Sequence, residues 1–450
     1  MKPILICMLL VAIGFRWPKV VGWSILGGIF FFISIGNLVV LPDVVFPLRV
    51  QQIICAVAFG VALNSRSHSV LRQLWKIKPL IYLVIFFILE IVAGLRYPDA
   101  TLYKFLMLHN YPSYLAVVIL TFYLINDADD YNFFWNLLLG NVVIMAVVIL
   151  VELTTGYRLA THACFDQLAS CRVSEQHWVT DLGSETYQWT SPATFFTRYI
   201  GVTGEPNKSA ILLAIGGILC VYNYSSSSKG NVSHSIWNFN FVATIILGTV
   251  IFTLLLISQV RSAIGALIFV SFVLIIYMPR LLKPFLIITL LTSMIFTLQP
   301  NAQIVSVKFF KGRLIDEGVL SAGERTQAAA IALQAFAESY GMGVGGTIYS
   351  ASDRILNNMD LTAFLLYFLA GGILLGGSYI LMLLLLLADL TRTLKLNLSY
   401  DHSIKIILTI SALVIAVLTQ IFNDNGILFY IILLYSAAKA STRNCAHLKV

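Results

Sequence analysis

Long uninterrupted apolar runs recur along the whole chain and constrain its fold more than any other feature. Runs of 15 to 28 residues match the length that an α-helix needs to cross the hydrocarbon core of a bilayer. Backbone polar groups in lipid must be paired within the protein, so only helices and closed barrels span it. Because these runs are continuous rather than alternating, the sequence predicts an all-α, polytopic integral membrane protein.

The composition agrees, because 59% of the residues are hydrophobic and only 11% are charged, against roughly a quarter charged in a soluble domain. The first run is short and leads through Arg16-Trp17-Pro18-Lys19 into the next, so we expect a membrane anchor rather than a cleaved signal peptide. If it lies in the interface, there are twelve transmembrane helices rather than thirteen. The predicted spans lie near residues 3–15, 20–40, 49–64, 79–95, 113–126, 134–151, 208–224, 239–257, 262–277, 283–298, 361–388, 404–421 and 426–438.

The uneven distribution of lysine and arginine among the connections predicts the orientation of the chain. One alternate set of connections, with the C-terminal tail, carries fifteen of these cations, and the opposite set carries five: Lys2, Arg49, Arg96, Lys104 and Arg261. We therefore expect the first set to be cytoplasmic. Two long segments, 152–207 and 299–360, then face outward as large extracytoplasmic loops.

The sequence predicts one membrane domain with these two insertions and no internal repeat. N-terminal transmembrane helices occupy 1–151, central helices 208–298, and C-terminal helices with a cytoplasmic tail 361–450. The net charge of +8 is mostly the orientation signal. Since there is no basic soluble domain, no nucleic-acid partner is expected.

The first insertion combines aromatic and polar residues with arginines. Aromatic rings next to hydrogen-bonding groups suit the faces of sugars, and the same composition would also form an interfacial aromatic belt. Cys164 and Cys171 lie seven positions apart in this insertion, a spacing that permits a disulfide in an oxidising compartment. Without paired CxxC spacing, no metal site is predicted.

The second insertion contains the clearest local signal. Ser321-Ala322-Gly323-Glu324 is a capping box, and the alanine-rich sequence after it predicts an amphipathic helix over 321–340 that Gly341 ends. On a helical projection Arg325 falls on the apolar side, opposite a polar arc. There it would point toward the protein body or the headgroups, or it would snorkel to water. Glu324, Gln327, Gln334 and Glu338 form that arc, with Ala329, Leu333 and Phe336 opposite.

The helix is followed by the glycine-rich sequence Gly341-Met342-Gly343-Val344-Gly345-Gly346. Glycines at this density let backbone N–H groups approach an anion closely, as in phosphate-binding nests. The same sequence would also serve as a flexible turn. Both interpretations are open from the sequence.

Three stretches in a characteristic order resemble the O-antigen polymerase and O-antigen ligase family of bacterial membrane glycosyltransferases. The first, 201–210, contains a Gly-x-x-x-x-Pro-Asn-x-x-Ala stretch at the entrance to a span, including Asn207. The second, 258–267, reads Ser-Gln-Val-Arg-Ser-Ala-Ile-Gly-Ala-Leu between two spans. The third runs from Gly323-Glu324-Arg325 to Gly343-Val344-Gly345. The resemblance covers roughly 198–380, and the first half of the chain is similar only in hydropathy.

The resemblance implies a reaction at the periplasmic face of the bacterial inner membrane. Such enzymes join an undecaprenyl-pyrophosphate-linked saccharide to an acceptor sugar, with no metal, nucleotide or other cofactor. The implied partners are the lipid-linked donor and acceptor, the bilayer and a membrane protein that regulates chain length. The enzyme must stabilise a departing lipid pyrophosphate, and the planar fork of arginine pairs phosphate oxygens bidentately.

Arginines are therefore the leading site candidates. Arg261 interrupts an apolar hairpin from Ile245 to Tyr277, where a cation is costly unless it binds a partner or an anion. The alternative is that Arg261 is an ordinary turn residue at the membrane edge. Arg325 is the second catalytic candidate. The candidate substrate-binding residues are Arg198, Asn207, Arg313, Gly343, Gly345 and Asp360.

A carboxylate is expected to deprotonate the acceptor hydroxyl. Glu205, at a span entrance, is the catalytic candidate, and the sequence also leaves Glu324, Glu338, Asp353 and Asp360 open. Glu324 is explained more simply by the capping box.

A histidine in the second outer loop is characteristic of the ligases of this family. Ligases carry one shortly after the Gly-x-Gly stretch, but no histidine lies between His234 and His402 here. This favours a repeat-unit polymerase over a ligase acting on lipid A–core. A flippase or transporter would place ionisable residues or broken helices at the midplane of its spans. This chain instead concentrates its charges in the two outer loops, with Glu90 as the main exception, which favours chemistry at the outer surface over transport.

Overall fold

The computed structural model of the protein describes residues 2–32, 39–41, 48–64, 70, 72, 74–96, 111–155, 206–227, 241–258, 260–298, 317–346, 351, 355–356, 363–394, 400–422 and 428–442. The chain is helical nearly throughout these residues, as predicted. A short antiparallel ladder joins β1 (Val39–Leu41) to β2 (Leu48–Arg49), and a single 3₁₀ turn covers Pro279–Leu281. The helices are α1 (Lys2–Arg16), α2 (Pro18–Phe32), α3 (Val50–Leu63), α4 (Lys78–Leu95), α5 (Tyr111–Leu124), α6 (Ala128–Thr155), α7 (Pro206–Ser227), α8 (Phe241–Ser258), α9 (Arg261–Tyr277), α10 (Leu282–Leu298), α11 (Glu317–Glu338), α12 (Ala363–Thr393), α13 (Tyr400–Phe422) and α14 (Leu428–Thr442).

Several of these helices have the length and composition of membrane spans. Within the described ranges, α4, α6, α12 and α13 are long and apolar enough to cross a bilayer, and the bent pair α1–α2 would add a fifth if it forms one span. Five other apolar helices, α3, α5, α7, α8 and α9, are shorter. The all-α class and its apolar helices are therefore confirmed, while the predicted number of spans stays a prediction.

The packing divides the helices into enclosed and exposed ones. Among the four described helices long enough to cross a bilayer, α13 is the most enclosed, with 67% of its apolar window buried inside the protein, against 39% for α12. Large apolar side chains such as Phe272, Leu290 and Leu374 lie exposed on α9, α10 and α12. Soluble proteins rarely expose so many. These faces are therefore suited to contact lipid.

A cluster of polar side chains joins four helix ends on one side of the bundle. Tyr131 at the start of α6 shares a hydrogen bond with Thr409 of α13, and Lys405 of α13 donates to Asn132. The hydroxyl of Ser441 in α14 lies 3.3 Å from Nε2 of His402 in α13. We call these residues, together with Asp389, Tyr435 and Lys439, the polar cluster.

The ion pair of the polar cluster connects α12 to α14. Lys439 Nζ lies 2.8 Å from Asp389 Oδ2, and the hydroxyl of Tyr435 donates to the same oxygen at 2.8 Å. The last turn of α12 is thereby tied to the last turns of α14. The start of α6, the end of α12, the start of α13 and the end of α14 consequently lie together.

The start of α11 differs from the prediction. The helix begins at Glu317, so Ser321 and Glu324 lie within it and the expected capping box does not mark its first turn. Asp316 directly precedes the observed start, and aspartate is as favourable an N-cap residue as serine. The sequence thus contains two cap candidates, Asp316 and Ser321, five positions apart, and the prediction used the second. The predicted end is confirmed, because Tyr340 and Gly341 adopt positive φ angles of 52° and 76°.

Candidate functional site

The structure describes only part of the predicted site. Arg261, Gly343 and Gly345 are described completely, whereas Asn207 and Arg325 belong to α7 and α11 without a described side chain. Arg198, Glu205, Arg313 and Asp360 lie outside the described residues, as do Cys164, Cys171 and Asp353. The predictions that concern these residues stay predictions.

Arg261 is the first residue of α9, three positions after the end of α8. Arg261 thus lies at the short connection between two apolar helices, as predicted. Val260 is the N-cap residue and provides no side-chain hydrogen bond to the helix. The first N–H groups of a helix carry partial positive charge. The guanidinium and the helix end therefore combine into a positive site that suits an anion.

The glycine segment, residues 341–346, adopts a conformation that requires its glycines. Gly341, Gly343, Gly345 and Gly346 all have positive φ angles, between 72° and 94°. A Cβ on Gly343 would lie 2.5 Å from the backbone nitrogen of Gly372, so a larger residue cannot fit. The segment therefore packs as bare backbone against α12.

The glycine segment repairs a break in α12. Gly372 has non-helical angles (φ 73°, ψ −160°), which interrupt the helical hydrogen bonds there. The carbonyl groups of Leu369 and Ala370 instead accept from the N–H groups of Val344 and Gly345, at 2.8 and 2.9 Å. In return the N–H of Ile373 donates to the carbonyl of Gly341 at 3.0 Å. Backbone groups freed by the break are thus satisfied by another segment, as apolar surroundings require.

The end of α4 holds the other side of the segment. The N–H of Gly346 donates to the carbonyl of Ala93 at 2.9 Å. The guanidinium of Arg96, just after α4, donates to the carbonyls of Met342 at 2.6 Å and Gly343 at 3.3 Å. We call the glycine segment, the end of α4 with Arg96, and the break of α12 the glycine junction.

The electrostatics of the glycine junction favour a cation. Helices α4 and α11 end there, and so does the first part of α12, at Gly372. Each of these carboxyl-terminal ends carries the partial negative charge of its helix dipole. Arg96 supplies a compensating positive charge. A site of this kind does not attract a phosphate.

The phosphate-nest interpretation of the glycine segment lacks donors in this conformation. The N–H groups of residues 341, 342 and 343 donate to Phe336 O, Ser339 O and Ser339 Oγ. Those of 344, 345 and 346 donate to Leu369, Ala370 and Ala93. The segment is thus a packed connector rather than an open nest or a loose turn. A substrate-binding role of Gly343 and Gly345 stays a prediction that needs a different conformation.

The buried face of α11 corrects the predicted amphipathic arc. Ala328 and Ala332 are buried, whereas Leu333, predicted on the apolar side, is 55% exposed. The polar arc is better predicted: Gln334 and Glu338 are exposed, and the amide of Gln334 donates to the Glu338 carboxylate at 2.9 Å. Spacings of three and seven residues place the backbone position of Arg325 on the face of Ala328 and Ala332.

Two features near the glycine junction had no predicted role. Arg96 was noted only as one of few cations on its side, and its contacts lie about 250 positions away in sequence. One turn before the end of α4, the carboxyl of Glu90 is buried beside Tyr379 of α12. The ring of Tyr379 stacks at 4.4 Å from that of Tyr367, and Phe86 packs on both. A buried ionisable residue among apolar helices was the visible signal.

No known protein family, curated protein or solved structure matches the chain. The fold, the helix start at Arg261 and the glycine junction therefore define only the class of the protein. It is a helical protein with helices suited to cross a membrane.

Proposed function

We propose that the protein is a membrane glycosyltransferase that polymerises undecaprenyl-pyrophosphate-linked oligosaccharide repeat units into O-antigen, capsular or exopolysaccharide. The reaction takes place at the periplasmic face of the inner membrane. Twelve or thirteen transmembrane helices carry two large periplasmic loops, 152–207 and 299–360. The proposal rests on the motif resemblance and is supported by the geometry around Arg261 and by the architecture of the second loop.

The position of Arg261 is the observation that carries the proposal. It opens α9, between two apolar helices, where the N-cap residue Val260 makes no side-chain cap hydrogen bond. A guanidinium at a positive helix end suits the pyrophosphate of a lipid-linked donor, whose diphosphate lies at the membrane surface. In the proposed reaction the acceptor hydroxyl attacks the anomeric carbon, and the carbon–oxygen bond to the pyrophosphate breaks. Arg261 stabilises the charge on the leaving pyrophosphate.

The remaining roles follow the resemblance. Glu205 accepts the proton of the acceptor hydroxyl, and Arg325 is a second contact for the pyrophosphate. Arg198, Arg313, Asn207 and Asp360 bind the two saccharide chains. The donor is already activated, so the proposed reaction includes no nucleotide, metal or other cofactor.

The glycine junction supports the proposed architecture of the second loop. Helix α11, which contains Arg325, ends in the glycine segment, and that segment is bonded to α4 and α12. The loop is thus anchored on the membrane helices over six consecutive residues. In the predicted topology the end of α4 and the start of α12 both face the periplasm, which agrees with this contact. The four helix ends of the polar cluster would all be cytoplasmic.

Deletion of the gene, followed by gel analysis of surface polysaccharide, tests the function. A polymerase-null strain should leave a single repeat unit on the lipid A–core. Loss of a ligase should leave bare core while lipid-linked polymer accumulates, and loss of a flippase should leave neither polymer nor repeat unit on the core. Either of the last two patterns contradicts the proposal.

Complementation of the deletion tests the role of Arg261. Arg261→Ala should reduce polymer at least about 100-fold, as the loss of a charge-stabilising group typically does, while the protein still reaches the membrane. Arg261→Lys keeps the charge but lacks the planar fork of the guanidinium, so it should restore only part of the polymer. Arg280→Ala is the matched control, because Arg280 is an exposed cation beyond the opposite end of α9. A normal polysaccharide ladder from Arg261→Ala would exclude the proposed role.

Single cysteines test the topology on which the mechanism depends. In a background without the six native cysteines, Tyr340→Cys should react with a membrane-impermeant thiol reagent in intact cells. Arg392→Cys, exposed near the other end of α12, should react only after the membrane is permeabilised. The reverse pattern would place the second loop in the cytoplasm and remove the periplasmic reaction.

A further inference from the structure

The bend between α1 and α2 forms a site that plays no part in the proposed reaction. The axes of Leu5–Arg16 and Pro18–Gly27 differ in direction by 113°. The N–H of Trp17 still donates to Ile13 at 2.9 Å, and the N–H of Val21 donates to Trp17 at 3.1 Å. Pro18 has no N–H and disfavours helical continuation, so the chain turns there without losing the surrounding hydrogen bonds. The bend is a built feature rather than a frayed end.

A cavity of about 260 Å³ lies against this bend. Three elements form it: the bend itself, the end of α3 and the end of α5. The side-chain amide of Asn64 donates to the carbonyl of Phe15 at 3.2 Å, which holds the end of α3 against α1. The lining residues are Trp17, Pro18, Lys19, Val20, Asn64 and Tyr123.

The chemistry of the lining favours a phosphate-bearing group. Lys19 contributes an ammonium group, Trp17 an indole N–H, and Tyr123 a phenol hydroxyl. Arg16, exposed at the end of α1, directly precedes the lining residue Trp17 in sequence but does not itself line the cavity. Asp127 and Asp129 follow the end of α5 in sequence, but neither lines the cavity. Among the described lining residues, Lys19 offers positive charge and Trp17 a hydrogen-bond donor, and none of them is a carboxylate.

The surroundings favour a lipid as the source of that phosphate. Phe15, Trp17 and Val20 are 49%, 56% and 70% exposed, an apolar and aromatic rim next to two cations. This combination is typical of the membrane–water interface. The cavity is also smaller than the roughly 300–1,000 Å³ of pockets that enclose drug-sized ligands. It suits a headgroup whose acyl chains lie outside on the apolar rim.

We propose that this cavity binds the headgroup of an anionic phospholipid from the leaflet on the side of Arg16 and Lys19. The phosphodiester receives hydrogen bonds from Lys19 and Trp17, with Arg16 at its edge. The bound lipid links the bent pair α1–α2 to α3 and α5. This site is independent of the glycosyltransferase proposal.

Native mass spectrometry of the full-length protein released from detergent tests this proposal. Phosphatidylglycerol and phosphatidylcholine with identical acyl chains are the probes. Phosphatidylglycerol should remain bound in preference to phosphatidylcholine. Replacing both cations, Arg16→Gln with Lys19→Gln, should weaken its retention about tenfold or more, because each surface cation contributes appreciably to anionic lipid binding. Trp17→Phe keeps the ring without the N–H and should weaken retention less.

A matched variant separates this site from general surface charge. Arg72→Gln with Lys76→Gln removes two exposed cations from the same predicted membrane face, outside the cavity, and should leave retention unchanged. Millimolar inorganic phosphate should not displace the lipid, because it lacks the acyl chains. Equal retention of both lipids by the wild-type protein would overturn the proposal. So would an equal loss in the two double variants, or displacement by phosphate. Unfolding temperatures without added lipid confirm that the variants fold.

Discussion

The glycine junction and the polar cluster both connect α12 to its neighbours, the first mainly through backbone groups and the second through side chains. At the junction the bonds are mostly between backbone groups, and the side chains are absent or, for Arg96, turned onto carbonyls. In the polar cluster they are side-chain bonds among residues such as Asp389, Tyr435 and Lys439. One end of α12 is therefore held by close backbone approach and the other by an adjustable set of polar groups.

This difference predicts different tolerance to substitution. A backbone contact cannot adapt to an added Cβ, since the chain on both sides must move. A side-chain hydrogen bond can be replaced by a similar group, by water or by a shifted rotamer, so its net contribution is small. The glycine junction should therefore be the intolerant end of α12 and the polar cluster the tolerant one.

The largest expected effect is that of an alanine at the break of α12. A Cβ on Gly372 would lie 2.3 Å from the carbonyl oxygen of Gly341, and the residue has a φ angle of 73°. With ψ at −160°, these angles lie in a region that is essentially restricted to glycine, where a residue with a Cβ is strained by about 1–3 kcal/mol. The overlap with backbone adds to this cost. We expect Gly372→Ala to destabilise the protein by about 3 kcal/mol or more, measured as a loss of thermal stability in detergent.

Gly377→Ala is the matched control in the same helix. An added Cβ at Gly377 meets nothing within 4 Å, and alanine is the better helix former. This variant should be neutral or slightly stabilising. If Gly372→Ala unfolds at the same temperature as Gly377→Ala, the junction does not depend on backbone approach and the comparison fails.

Arg96 gives the next largest effect. Arg96→Ala removes two charge-assisted bonds to the carbonyls of Met342 and Gly343. Because the side chain is exposed, we expect only about 1–2 kcal/mol, concentrated in the glycine segment. Hydrogen exchange of residues 341–346 should accelerate. Arg72→Ala, which removes another exposed cation, should leave that exchange unchanged, and equal exchange in the two variants would remove Arg96 from the junction.

The sequence predicted that a helix ends at the glycine segment, but not which residues that segment contacts. Glycines at 341, 343 and 345 correctly indicated the end of α11 and unusual backbone conformations. The sequence does not distinguish their roles, because a glycine allows close approach to an anion and to another backbone equally well. The neighbours Ala93, Leu369 and Ala370 are ordinary residues of apolar helices, and nothing in their local sequence indicates an open carbonyl.

The candidate site was predictable where a residue type conflicts with its surroundings. Arg261 stands out because a cation in an apolar hairpin needs an explanation, and the structure indeed has it at the turn between α8 and α9. Asp389 and Lys439, by contrast, are ordinary charges near the ends of apolar runs. Their pairing depends on how α12 and α14 pack, which local patterns do not specify.

The ion pair of the polar cluster should contribute less than either junction contact. The side chains of Asp389 and Lys439 are 21% and 24% exposed, so solvent partly screens the attraction between them. A double-mutant cycle of Asp389→Asn and Lys439→Gln should give a coupling of about 0.5–1 kcal/mol. The coupling should decrease in high salt. A coupling larger than the destabilisation measured for Arg96→Ala would reverse the ranking of the glycine junction and the polar cluster.

The smallest effect is expected for the contact between Ser441 and His402. The hydroxyl of Ser441 donates to the carbonyl of Ala438 at 2.8 Å and lies farther, 3.3 Å, from the imidazole. Ser441→Ala should therefore cost about 0.5 kcal/mol, near the lower limit for a hydrogen bond.

Ser378→Ala is the reference for the Ser441 variant, because Ser378 makes the same bond to its own helix at 2.8 Å. The difference between the two unfolding free energies then measures the imidazole contact, which a tolerant polar cluster should keep to a few tenths of a kcal/mol. A difference well above 1 kcal/mol would mean that the cluster is a fixed network, whose members strengthen one another. The two ends of α12 would then differ in chemistry but not in rigidity.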